Sequence, residues 1–138
     1  MITDTVRDYM MKCPQLFGKK INVNCLGTKM QSFSIDNVSA EPVIKKYCDG
    51  AVLKQAIFNL SVRDRYDENL GGNITVSQLL EDIEKWIWNQ NTIKNLPLFD
   101  DKDILVRSIE VTKSGHLFHT SMSSGRWQLE FRIVYRQN

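Results

Sequence analysis

The cleanest alternation in the chain lies near its end, where Trp127, Leu129, Phe131, Ile133 and Tyr135 interleave with Gln128, Glu130, Arg132 and Arg136. Alternation with period 2 predicts a strand with one buried face. The same pattern recurs at Ala56, Phe58, Leu60 and Val62, set against Asn59, Ser61 and Arg63. A helical period occurs twice. Val6, Tyr9, Met10 and Cys13 share one face after Asp4, a predicted N-cap, with Pro14 as the stop. Val76, Leu79, Leu80, Ile83, Trp86 and Ile87 trace a longer apolar stripe, with Glu81, Asp82, Glu84 and Lys85 on the other faces. Gly71-Gly72-Asn73 is expected to break the preceding strand, Thr75 and Gln78 to form a capping box, and Asn95 and Pro97 to end the helix. Trp88 departs from the stripe and reads as a flank of the core or a partner contact.

Shorter signals fill the intervals. Ile21, Val23 and Cys25 alternate with Asn22 and Asn24, and Gly27 closes that strand. A weaker strand, Ser32 to Ile35, precedes the turn formers Asp36, Asn37 and Ser39. Asp49-Gly50 between apolar runs predicts a tight hairpin with a type I′ turn. Ile104 to Lys113 reads as a strand with a bulge, Ser114-Gly115 as a turn, Leu117 to Met122 as a strand and Ser123-Ser124-Gly125 as another turn. The order is helix, strands, helix, strands, with meanders between neighbours. That predicts an α+β fold of two main helices packed on one face of a mostly antiparallel β-sheet.

Composition narrows the class. A chain of 138 residues suits a single domain over 1–138, with enough core to stand without staples. At 42% hydrophobic and 25% charged residues it reads as an ordinary globular domain. No apolar run approaches the roughly 18 residues of a membrane span, so no membrane partner is expected. The opening MITDTVRDYMMKC lacks a basic start, an apolar middle and a small-residue cleavage site, so synthesis and residence in the cytoplasm of the producing cell are expected. A net charge of +2, with 18 basic and 16 acidic residues interspersed, does not by itself imply nucleic acid. Cys13, Cys25 and Cys48 lack C-x-x-C spacing and read as reduced small hydrophobes.

No chemistry-bearing constellation is expected. His116 and His119, three apart on a predicted strand, should lie on opposite sheet faces and so not share a metal. There is no G-x-S-x-G motif, and Ser121, Ser123 and Ser124 near His119 read as turn chemistry. Asp100, Asp101 and Asp103 lack the spacing and central Gly of a calcium loop, and Gly71-Gly72 is not followed by the Gly-Lys-Ser/Thr of a phosphate loop. The expected catalytic, metal and cofactor residues are therefore none.

The ordered set SIDNVSAEPVIKKYCDG, the helix with WIWNQ, LPLF and SGHLFHTSMSSGRWQLEFRIVYRQ resembles a family of small structural proteins of tailed bacteriophages and phage-tail-like bacteriocins. These are called minor capsid, tail-completion or tail-terminator proteins. The resemblance spans nearly the whole chain. It implies a non-enzymatic virion protein that forms a homo-oligomeric ring, hexameric in this family, at the head-proximal end of the tail. Such a ring stops polymerisation of the tail tube and offers the head-tail joining surface. The implied partners are the tail tube protein, the tail sheath and the head connector or neck protein, with at most non-specific contact with DNA in the channel.

The charged run Arg63-Asp64-Arg65-Tyr66-Asp67-Glu68 reads as a solvated strand end or as a projection into a neighbouring subunit. Arg63, Arg65, Tyr66 and Asp67, with Trp88, are the expected subunit-interface residues. Two rival classes remain open. A nucleic-acid-binding module would draw on Lys45, Lys46, Tyr47 and Lys54, and a small enzyme would need a pocket with perturbed titratable groups.

Overall fold

The alternating segments pair into one sheet, and the two helical stripes pack on a single side of it. The computed structural model describes residues 2–16, 21–23, 32–38, 42–65, 70–99, 102–121 and 124–138. The elements are α1 (Ile2–Met10), β1 (Ile21–Val23), β2 (Ser32–Val38), β3 (Val43–Lys46), β4 (Val52–Arg65), α2 (Leu70–Thr92), β5 (Ile104–Ser121) and β6 (Ser124–Gln137). The sheet order is β1-β2-β4-β6-β5, with β3 paired to the first residues of β4. Every pairing is antiparallel except β1 with β2. The α+β class and the mostly antiparallel sheet therefore hold.

Register carries the alternation across the sheet. Phe33 faces Val62, which faces Trp127; Ile35 faces Leu60, which faces Leu129; and Phe58 faces Phe131. These rows form the inner face, where Val6, Tyr9 and Met10 of α1 and Val76, Leu80, Ile83 and Ile87 of α2 join the same buried cluster. The Phe58 and Phe131 rings stack at 5.7 Å between centroids. Each fully buried side chain of this size contributes about 1.5–3 kcal/mol. Tyr9 and Trp86, centroids 5.4 Å apart, clamp α1 to α2.

Helix boundaries differ from the sequence reading. Helix α1 begins at Ile2, so Asp4 lies in the first turn, where its carboxylate complements the dipole without capping. Helix α2 begins at Leu70, so Gly71, Gly72, Asn73 and Thr75 lie inside it and the Thr75–Gln78 box is not its start. Its end is a Schellman motif. The Asn95 N–H donates to the Gln90 carbonyl at 3.0 Å and the Lys94 N–H to that of Asn91 at 3.3 Å, with Lys94 left-handed at φ 59°.

The strands differ too. Strand β2 continues through Asp36 and Asn37 to Val38, past the predicted turn. The hairpin after β3 has positive φ at Gly50 alone, at 90°. The Gly50 N–H donates to the Tyr47 carbonyl at 3.2 Å, and the Tyr47 N–H to that of Ala51 at 2.9 Å. This is a three-residue loop with a glycine bulge, since type I′ needs left-handed backbone at both central positions. Ser114-Gly115 does not turn: β5 runs unbroken through it, absorbing register shifts against β6. Ser124 and Gly125 likewise already belong to β6. Cys25, Gly27, Ser39, Asp100 and Asp101 lie outside the described residues.

Candidate interaction face

Among the described residues no helix covers the opposite face of the sheet, which carries polar side chains in rows. Ser34 pairs in register with Ser61, which pairs with Gln128; Asp36 pairs with Asn59, which pairs with Glu130; and Ser32 pairs with Arg63, which pairs with Arg126. Ser34 and Ser61 are fully buried and Gln128 nearly so. Their burial makes satisfied hydrogen bonds obligatory, and Asp36 supplies two of them. The Ser34 hydroxyl donates to Asp36 Oδ1 at 2.6 Å and the Ser61 hydroxyl to Oδ2 at 2.9 Å. An Arg126 terminal amine lies 3.6 Å from the same carboxylate.

Arg126 is pinned on several sides. Its guanidinium sits 5.6 Å from the centre of the Phe118 ring. Its Nε is buried and, among the described residues, makes no hydrogen bond. Directly across the register stands Arg63, whose Nη1 lies 3.5 Å from the Ser124 hydroxyl. Like charges facing each other across strands repel. His119 pairs in register with Arg126 on its other side.

The middle and far end are stitched by charge. Arg132 Nε donates to Glu110 at 2.8 Å and its Nη1 to Gln55 at 3.3 Å. Arg136 donates to Asp49 at 2.9 Å, while its guanidinium lies 5.1 Å from the Tyr47 ring and Lys45 Nζ lies 5.4 Å from it. Partly exposed pairs of this kind contribute about 0.2–1 kcal/mol each, so they set geometry more than stability.

The expected site residues distribute unevenly. Arg63 lies on the helix-free face, half-buried; Arg65 is the last residue of β4; Tyr66 and Asp67 lie outside the described residues. Trp88 is 41% exposed on the outer side of α2, the layer opposite Arg63, so a single copy does not bring the two together. Asp36, Phe118 and Arg126 were not foreseen. Asp36 had the signature of a turn former, and Phe118 is aimed by a bulge between Leu117 and His119. The same shift overturns the expectation for the histidines, because His116 faces Gln128 and His119 faces Arg126, two positions on one face of β6. Among the described residues no group of three His, Cys, Asp or Glu side chains converges as a metal site.

Groups with displaced titration lie elsewhere. Burial pushes the Tyr9 phenol up to about 12, with the Cys13 thiol adding to it, and burial likewise raises Cys13 and Tyr135. Cys13 is fully buried, which makes its thiol a poor nucleophile. A half-open depression of about 350 Å³ lies where Asp8, Tyr9 and Lys12 of α1 meet the 95–98 loop. No helix among the described residues is long and apolar enough to cross a membrane. Compared with protein-family models and with curated proteins, the chain matches none.

Proposed function

We propose that this chain is a tail-terminator-like structural protein of a phage or phage-tail-like particle. Six copies form a ring at the head-proximal end of the tail, end growth of the tail tube and present the joining surface for the head connector. Tube protein and neck protein are its partners, with the sheath added where the tail contracts, and the ring performs no covalent chemistry.

The observation that supports this reading is the two-sidedness of the subunit. Helices cover one face of the sheet, and the other, which no helix among the described residues covers, is laced with ion pairs. A ring built head to tail needs two different surfaces on each copy. The ordered sequence resemblance supplies the rest of the argument.

The test is the mass in solution by light scattering, alone and with tail tubes of the same particle. A closed oligomer, or a monomer that joins tube ends and halts their growth, is the expected result. A monomer indifferent to tubes removes the proposal. One observation favours a second reading, a nucleic-acid contact: Arg136 joins Lys45 on the Tyr47 ring at the tip of the β3–β4 hairpin. Binding of the isolated monomer to DNA that weakens steeply between low and moderate salt would select that reading.

A further inference from the structure

We propose that the outer edge of β5 pairs with the same edge of a second copy, antiparallel and about a two-fold axis at Val111, so that two sheets join into one. This does not rest on the ring reading. The pair is a form of the free chain, and it uses a sheet edge rather than either face.

Strand β5 ends the sheet order, and among the described residues no strand pairs with its outer side. The backbone N–H and C=O groups along such an edge are a template for another strand. Bulges, a common protection of edges, are present, yet the strand also exposes large apolar side chains: Leu105 at 59%, Leu117 at 42% and Phe118 at 58%. Residues 112–120 are exposed without a break. Contact with water is costly for these side chains, and a paired edge covers them.

Register identifies the occupant as a second β5. Each residue of β5 takes its place along the edge from its partner on β6, which includes the bulges in the count. Val111 stands at Phe131, Glu110 one position to one side at Arg132, and Lys113 one position to the other at Glu130. A two-fold axis at Val111 therefore sets Glu110 of each copy against Lys113 of the other. Four positions out, Val106 at Tyr135 meets Leu117 at Trp127, both on the helix-bearing face. One position further, Leu105 at Arg136 meets the end of the strand where Phe118 lies over Arg126, both on the polar face. Opposite charges face each other, and exposed apolar groups find apolar neighbours.

The neighbouring registers fail on charge. Moving the axis one position sets Glu110 against Glu110 or Lys113 against Lys113, and an axis between positions turns the apolar face of one copy toward the polar face of the other. Glu110 already accepts from Arg132 at 2.8 Å, but its side chain is about a third exposed and a carboxylate has lone pairs for a further donor. Lys113 is exposed and, among the described residues, belongs to no ion pair. Contact of this kind is isologous and closes at two copies.

Charge reversal with rescue by mixing tests this. The full chain is followed without tail tubes by sedimentation and light scattering, with circular dichroism checking that each variant is folded. The parent is expected to run as a pair. Lys113→Glu sets glutamates against each other at both symmetric contacts and is expected to weaken association about tenfold or more, as is Leu117→Asp. Glu110→Lys sets lysines against each other, with the same result. Mixing the Lys113→Glu and Glu110→Lys variants restores opposite charges at both contacts, so mixed pairs are expected where neither variant pairs alone. Glu110→Lys also releases Arg132, and should it fail to fold, Lys113→Glu and Leu117→Asp carry the test. A monomeric parent, folded variants that associate like the parent, or folded charge variants that do not recover on mixing overturn the pairing. The ring reading stands or falls separately, on the experiment with tubes.

Discussion

Gly115 of β5 lies directly beneath Leu80 of α2: a Cβ built on Gly115 would stand 2.5 Å from the Leu80 Cβ and 2.8 Å from its Cδ1. The obstruction is the root of a buried side chain, which cannot swing aside. Helix and strand approach this closely because the glycine has no side chain. We expect Gly115→Ala to destabilise the fold by about 1–3 kcal/mol, the usual cost of overpacking. Leu80→Ala alone should cost about 2–5 kcal/mol as a cavity. Alanine at 80 removes the Cδ1 contact at 2.8 Å but keeps the Cβ that stands 2.5 Å away, so the double variant should lose only somewhat less than the sum of the two. Urea denaturation of the four proteins closes the cycle, and a Gly115→Ala variant as stable as the parent would mean that the contact does not limit packing.

Lys94 ends α2 in the left-handed region at φ 59°, a conformation that costs an L-residue roughly 1 kcal/mol and glycine almost nothing. Lys94→Gly should therefore stabilise the protein by about 0.5–1 kcal/mol, even though glycine usually weakens a chain. Thermal unfolding reads the sign directly. A loss of stability would show that the lysine side chain contributes more than the backbone strain it carries.

The inner face was legible because its signal is redundant. Phe58, Leu60 and Val62 and then Trp127, Leu129 and Phe131 alternate cleanly, and their register simply joins the two patterns. Gly115 and Asp36 were misread for one reason: Ser-Gly and Asp-Asn are good turn formers when only neighbours in sequence are considered. In the fold Leu80 explains the glycine, and Ser34, Ser61 and Arg126 hold the aspartate in the strand. Arg63 was visible as charge at the end of a strand. Its pairing with Arg126 was not, because alternation reveals which residues share a face and not which residue stands opposite. The β5 bulges hid Phe118 and His119 in the same way.

Tyr9 ties α1 to the loop after α2, its hydroxyl donating to the Asn95 carbonyl at 2.7 Å. Burial first, and the Cys13 thiol second, raise its pKa from 10.0 to about 12. Between those values the unfolded chain releases the phenolic proton while the folded chain keeps it. The unfolded state then binds fewer protons, so stability falls as pH rises through that window. Burial of Cys13 and Tyr135 acts in the same direction. Tyr9→Phe should cost about 0.5–1.5 kcal/mol at neutral pH through the lost hydrogen bond, and should lose stability less steeply above pH 10. Denaturation midpoints at pH 8 and pH 11 check both statements, and an unchanged slope would assign the alkaline loss to other groups.

Asp36 anchors the helix-free face through the buried hydroxyls of Ser34 and Ser61 and the guanidinium of Arg126. Removing it with Asp36→Ala leaves two buried donors without their acceptor, at a cost of about 1–3 kcal/mol. Asp36→Asn keeps a carbonyl oxygen for one hydroxyl and loses the charge that holds Arg126, so its cost should fall between those of the parent and the alanine variant. The two substitutions separate stability from association. If pinning of Arg126 prepares the face for the next copy in the ring, Asp36→Asn should weaken assembly on tail tubes more than its small loss of stability accounts for, because a guanidinium released from its carboxylate has rotamer freedom to lose again on contact. Sedimentation of the folded asparagine variant with tubes, beside the parent, reads this difference. Equal assembly would mean that the Asp36 charge serves the fold of the sheet alone.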